Sequence, residues 1–199
     1  MSAGLAFGLA VAAAGTGSAM DKEWPTYSGS DARWQYSTLA RINRDNVKKL
    51  SFAWARSLGN AHSQESNPIV VGDTLYVTSA NGPAHVMALD AATGAIRWKV
   101  ALEMPAGVAQ YACCGVVDRG VAYSDGMIYV GRLDGALSAF DAKTSEEKWT
   151  VDVVDYKQGS VITSPPLVVN DLVITGFGGD EYGAHGWIAA FDKKTGEPR

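Results

Sequence analysis

From residue 69 onward, apolar and polar positions alternate in short runs broken by glycine, asparagine and aspartate. Residues 69–71 and 74–78, 121–123 and 127–130, and 167–169 and 172–175 read as three pairs of strands rich in β-branched and aromatic side chains. Between the halves of each pair sit Gly72-Asp73, Asp125-Gly126 and Asn170-Asp171, the residue types a tight hairpin requires. Each pair is followed by a strand ending in Ala-(Leu/Phe)-Asp, then by a Thr-Gly or Thr-Ser turn. A further strand carrying Trp comes next.

This order recurs at a fixed period. Ala88-Leu-Asp-Ala-Ala-Thr-Gly-Ala-Ile-Arg-Trp98, Ala139-Phe-Asp-Ala-Lys-Thr-Ser-Glu-Glu-Lys-Trp149 and Ala190-Phe-Asp-Lys-Lys-Thr-Gly-Glu-Pro-Arg199 align without gaps, and Asp90, Asp141 and Asp192 are 51 residues apart each time. A constant period of this size predicts an all-β repeat fold, a β-propeller of four-stranded blades, with about three blades in the chain. Gly94 and Gly196 supply the positive φ of the turn, and Ser145 departs from that pattern. A Trp held at fixed phase beside such a turn is expected to pack between neighbouring blades. The third copy stops at Arg199, one residue before its Trp, so the propeller is expected to continue in a longer protein.

Composition changes this picture little. The chain has 199 residues, 47% of them hydrophobic, with 22 Gly and six Trp, which suits a turn-rich β fold. A net charge of −4 without a run of Lys or Arg excludes recognition of nucleic-acid phosphates. The first nineteen residues read differently: the apolar run 5–14 ends in Gly17-Ser18-Ala19, the small residues a signal peptidase accepts. Residues 1–19 are therefore expected to be a signal peptide and residues 20–199 the propeller portion, with export to the periplasm. The run is too short to span a bilayer, which takes about 20 apolar residues.

Cys113 and Cys114 are the chain's two cysteines, and they are adjacent. Consecutive Cα atoms lie about 3.8 Å apart, below the usual disulfide range of about 4.4–6.8 Å, so a bridge strains the peptide. Two free thiols in an oxidising compartment are a liability, which favours the bridge without settling it.

The Ala-x-Asp-x-x-Thr-Gly-x-x-x-Trp pattern resembles the tryptophan-docking motif of the eight-bladed quinoprotein propellers, and residues 34–50 resemble that family's opening segment. The stretch Ala112-Cys-Cys-Gly-Val-Val-Asp-Arg-Gly-Val-Ala-Tyr123 resembles the vicinal-disulfide segment of the alcohol dehydrogenases that use pyrroloquinoline quinone (PQQ). By this resemblance Cys113 and Cys114 form a disulfide ring lying flat on one face of the quinone. Arg119, Glu65 and Thr163 match positions that contact the cofactor, and a guanidinium suits its carboxylates. Gly178, Gly179 and Asp180 match backbone set against the cofactor, and Glu181 matches a metal-binding glutamate for Ca²⁺ or a lanthanide. If that segment is extended, Asp180 and Glu181 face opposite ways.

The resemblance also implies a primary alcohol as substrate, cytochrome c as electron acceptor, and room for a homo-oligomer. The catalytic Asp, a second metal ligand and the opposite wall of the quinone site are expected beyond Arg199. The 199 residues alone are therefore expected to be inactive. The alternative is a non-enzymatic propeller scaffold that binds other proteins. It accounts for the blades but not for the paired cysteines, Arg119 and Glu181 together.

Overall fold

The computed structural model describes residues 23–30, 32–59, 64–79, 84–113 and 115–199. The apolar leader, the cut expected after Ala19, and Cys114 lie outside the described residues.

Three antiparallel sheets follow one another along the chain. The first joins β1 (Ile69–Val71), β2 (Thr74–Ser79), β3 (Ala84–Asp90) and β4 (Ile96–Leu102) in sequence order. The second joins β5 (Ala122–Ser124), β6 (Met127–Gly131), β7 (Ala136–Asp141) and β8 (Glu147–Asp152) in the same way. The third holds β9 (Leu167–Val169), β10 (Leu172–Gly176) and β11 (Ile188–Asp192), and a single bridge from Phe191 to Pro198 lies where its fourth strand would start. The three blades expected from the repeat are present, two of them with all four strands. Among the described residues the only helical pieces are short 3₁₀ turns, and none is long and apolar enough to cross a membrane.

Two kinds of turn build each blade. The inner hairpins place Gly72 (φ 59°), Asp125 (φ 49°) and Asn170 (φ 54°) at the first turn position, where the twist of a two-residue hairpin needs positive φ. The outer turns are closed by aspartate. One Asp90 carboxylate oxygen accepts from the Thr93 N–H at 2.9 Å and the Thr93 hydroxyl at 2.8 Å, and Asp141 and Asp192 accept from the Thr144 and Thr195 N–H groups at 2.7 and 3.0 Å. Hydrogen bonds to Arg97 and Thr93 hold the Asp90 carboxyl down to about 2. Ser145 takes the glycine position of this turn at φ 64°.

The core lies between blades rather than within them. In β6, Ile128 and Val130 pack with Val86, Ala88 and Leu102 of the first blade, whereas the intervening Tyr129 packs with Val173 and Phe191 of the third. Side chains along a strand alternate faces, so a middle blade flanked on both sides needs apolar residues at every position. Ile128, Tyr129 and Val130 are at most 1% exposed, and each such burial contributes roughly 1.5–3 kcal/mol.

Tryptophans stitch the blades together. Trp98 of the first blade donates its indole N–H to the Ala142 carbonyl of the second at 2.9 Å, and Trp149 of the second donates to Lys193 of the third at 3.2 Å. Each acceptor follows the turn aspartate directly, and Trp149 covers Gly196, where a Cβ would lie 2.7 Å from the ring. A bulge just before each Trp, between Ala88 and Leu89 and between Ala139 and Phe140, re-aims the outer strand. A third tryptophan repeats the arrangement ahead of the first blade. Trp54 donates to the Ala91 carbonyl at 3.2 Å and covers Gly94, and the Arg56 Nε–H donates to the Gly94 carbonyl at 2.8 Å.

Candidate functional site

Glu65, Arg119 and Thr163 stand a few residues ahead of β1, β5 and β9, the first strand of each blade. Stacking the blades brings these approach segments side by side. The Asn67 N–H donates to the Arg119 carbonyl at 3.0 Å, and the Arg119 N–H donates to the Thr163 carbonyl at 2.9 Å, so one backbone chain crosses all three blades. Gly120 (φ 122°) permits this approach, because a Cβ there would sit 2.8 Å from the Asn67 carbonyl oxygen.

The side chains converge on the guanidinium. Arg119 Nη1 donates to Thr163 Oγ1 at 2.6 Å, and Nη2 pairs with Glu65 Oε2 at 2.9 Å. Both members of the ion pair are half exposed, at 41% and 44%. Thr163 accepts from Arg119, so its own O–H remains available to donate elsewhere. A cavity of about 710 Å³ opens beside Arg119, walled by Tyr123, Pro165 and Leu167.

Gly178 and Gly179 lie against the strand that leads to Thr163. Val161 and Gly178 exchange backbone hydrogen bonds at 3.1 and 3.0 Å. At Gly179 (φ 142°) a Cβ would fall 2.2 Å from the Gly159 carbonyl oxygen, so only glycine fits, whereas a Cβ on Gly178 would meet nothing within 4 Å. The open side of Gly178 can admit a flat ligand.

The next residues do not meet the condition of an extended segment. Residues Asp180–Tyr182 form a 3₁₀ turn closed by Gly183 (φ 80°), so Asp180 and Glu181 do not alternate across a strand; both are exposed. Among the described residues no cluster of three or more His, Cys, Asp or Glu gathers around Glu181.

Cys113 follows a 3₁₀ turn, Val108–Tyr111, in the long β4–β5 connection. Val108 and Ala112 are buried against Leu133 and Val161, and Tyr111 meets Tyr156 edge-on at 5.4 Å. Arg132 braces the stem of this loop. It pairs with Asp134 at 2.6 Å with both side chains nearly buried, and it donates to the Glu103 carbonyl at 2.5 Å. Its own carbonyl accepts from the Ile162 N–H at 3.2 Å, beside Thr163. The described residues include no free cysteine; Cys114, with the expected bridge, lies outside them.

One residue of the site escaped the sequence reading. Asp118 is 6% exposed, and its Oδ1 accepts from the Thr78 hydroxyl at 2.9 Å and the Gly120 N–H at 2.8 Å. Burial pushes its carboxyl up to about 7 against the opposing pull of those donors and of Arg119. An aspartate in the apolar run Val116-Val-Asp-Arg was the available signal.

Consecutive stacked four-stranded blades, with a half-exposed Glu65–Arg119 ion pair where they meet, define a β-propeller. The chain belongs to the glucose/ethanol/alcohol dehydrogenase β-propeller (PQQ) family, whose domain matches residues 24–199. The lanthanide-dependent methanol dehydrogenase of Methylacidiphilum fumariolicum (strain SolV) is 41% identical over 176 residues, 87% of this chain and 29% of that protein. A europium-containing methanol dehydrogenase structure superposes with a TM-score of 0.85 at 40% identity, covering 90% of this chain and 32% of that one. The quinohemoprotein alcohol dehydrogenase of Comamonas testosteroni superposes with a TM-score of 0.83 at 39% identity, covering 88% of this chain and 26% of that one. The chain thus spans under a third of the length of these relatives.

Proposed function

We propose that the chain is the N-terminal part of an exported, periplasmic PQQ- and metal-dependent alcohol dehydrogenase that oxidises primary alcohols to aldehydes and passes electrons to cytochrome c. The observation that carries this reading is the Arg119 guanidinium held between Glu65 and Thr163. When bound, PQQ supplies the two-electron oxidant for the alcohol.

The chain's own residues fit that cofactor. Arg119 offers a permanent cation to its carboxylates, and Glu65 fixes the plane of the fork. The Thr163 hydroxyl is left to donate to a ligand oxygen. Gly178 lets a flat ring approach the backbone. Glu181 presents up to two oxygens to a hard cation, Ca²⁺ or a lanthanide, in a ligand set completed by other parts of the protein. A Cys113–Cys114 disulfide forms the flat wall, as the family resemblance implies. A non-enzymatic scaffold has no use for this arrangement.

Full-length protein loaded with PQQ and Ca²⁺ or a lanthanide is expected to oxidise primary alcohols with an artificial dye as acceptor. Arg119→Ala is expected to lower turnover at least a hundredfold, and the isolated 199-residue chain should show none. A fully loaded protein that oxidises no primary alcohol would sink the reading.

A further inference from the structure

The Glu65–Arg119 pair rests on a buried polar network. Thr78, in β2, is fully buried. Its hydroxyl lies 2.9 Å from Asp118 Oδ1 and 2.9 Å from the Ser66 hydroxyl, and its N–H donates to Ser66 Oγ at 3.0 Å. Ser66 adjoins Glu65 in sequence, and Asp118 adjoins Arg119. A single threonine side chain therefore tethers both backbones that carry the ion pair. The Gly120 N–H closes the other flank by donating to Asp118 Oδ1.

We propose that Asp118 is a positioning residue: with Thr78 and Ser66 it sets the spacing of Glu65 and Arg119, and so holds the guanidinium on Thr163 for a dianionic or trianionic planar ligand. Asp118 does not touch that ligand; it acts through Arg119. The ligand class rests on the functional reading above, while the positional claim does not. The Thr78 hydroxyl and the Gly120 N–H both meet the carboxyl at Oδ1, which an amide oxygen can replace. Asparagine should therefore serve at this position and alanine should not. A buried acceptor facing two fixed donors costs far more to remove than to substitute.

The test uses full-length protein carrying Asp118→Asn, Asp118→Ala, Thr78→Val or Thr78→Ser. PQQ affinity is followed by quenching of tryptophan fluorescence, and crystal structures of the cofactor-free variants report Arg119. Asp118→Ala and Thr78→Val are expected to raise the Kd for PQQ at least tenfold. Asp118→Asn and Thr78→Ser should stay within threefold of the parent. In the alanine structure the 2.6 Å contact from Arg119 to Thr163 should open. An alanine variant that keeps that contact overturns the proposal whatever its affinity, as does an asparagine variant that binds as poorly as alanine. Thr78→Val stands in if the alanine protein does not fold. Arg119→Ala serves as the control: unchanged PQQ affinity there overturns the ligand reading alone, and the crystal structures still decide the positional claim.

Discussion

The junction between the second and third blades allows a quantitative test. Two donors meet on one acceptor there: the Lys193 carbonyl receives the Trp149 indole N–H at 3.2 Å and the Tyr129 hydroxyl at 3.1 Å. Tyr129 is 1% exposed and Trp149 9%, with their rings 5.9 Å apart. Burial pushes the Tyr129 phenol up to about 12, so it keeps its proton at any working pH. Tyr129→Phe removes one donor and leaves the carbonyl served, at a cost of about 1 kcal/mol. Trp149→Phe removes the other donor and shrinks the cover over Gly196, at about 2 kcal/mol. The double variant strips the carbonyl of both donors. It should cost about 1–2 kcal/mol more than the sum of the two singles. Urea unfolding of the full-length protein, read as midpoint shifts at constant m, measures the cycle. Pairing Tyr129→Phe with Trp98→Phe at the other junction supplies the control and should be additive. Additivity of the Tyr129–Trp149 pair to within about 0.5 kcal/mol would refute the shared-acceptor account.

Three further outcomes are expected. Gly179→Ala should destabilise the fold by about 2 kcal/mol or more and abolish PQQ binding, because its Cβ would collide with backbone, whereas Gly178→Ala should change PQQ affinity at unchanged stability. Asp118 makes stability fall as pH rises, because its folded value of about 7 lies above the ordinary 3.8. Its contribution is whole below about 4 and gone above about 7, and a separation of this size is worth roughly 4 kcal/mol at most. Unfolding free energies of the parent and Asp118→Asn from urea titrations should accordingly diverge by about 2–4 kcal/mol between about pH 5 and pH 8, the asparagine protein gaining at the higher pH; parallel profiles would contradict the buried charge. Ser145→Gly should stabilise the second blade by about 0.5 kcal/mol, since glycine removes the strain of φ 64° and gives part of it back as unfolded-chain entropy; a loss of stability in thermal melts would count against that balance.

What the sequence revealed follows from the range of each interaction. The outer turn was legible because Asp90, Thr93 and Gly94 meet within five residues, and the same chemistry recurs at Asp141 and Asp192. The candidate site was legible only through family resemblance. Arg119 and Thr163 are 44 residues apart, and no local pattern announces a contact that exists once two blades have stacked. Trp54 was missed for the same reason: its strand partner is absent from the stretch around it, and its acceptor lies 37 residues on. The 3₁₀ turn at Asp180–Tyr182 was not foreseen: the opposite facing of Asp180 and Glu181 held only for an extended segment, and Gly179 and Gly183, at positive φ, bracket the turn and break the run. Asp118 was given no role, because burial of a carboxylate is a property of its neighbours and not of its own segment.

The tryptophan stitches carry a consequence for the order of assembly. Each outer strand is secured by a carbonyl that the ribosome has yet to make, 44 residues downstream of the indole in both cases. A blade emerging from the tunnel therefore holds its hairpins through its own turns, while its last strand stays unlatched until the following turn has closed. Growth in that mode resembles a zip advancing in one direction, with cooperativity confined to nearest neighbours. A fault in one Asp-x-x-Thr-Gly turn should accordingly loosen the blade made before it as well as the hairpin that contains it.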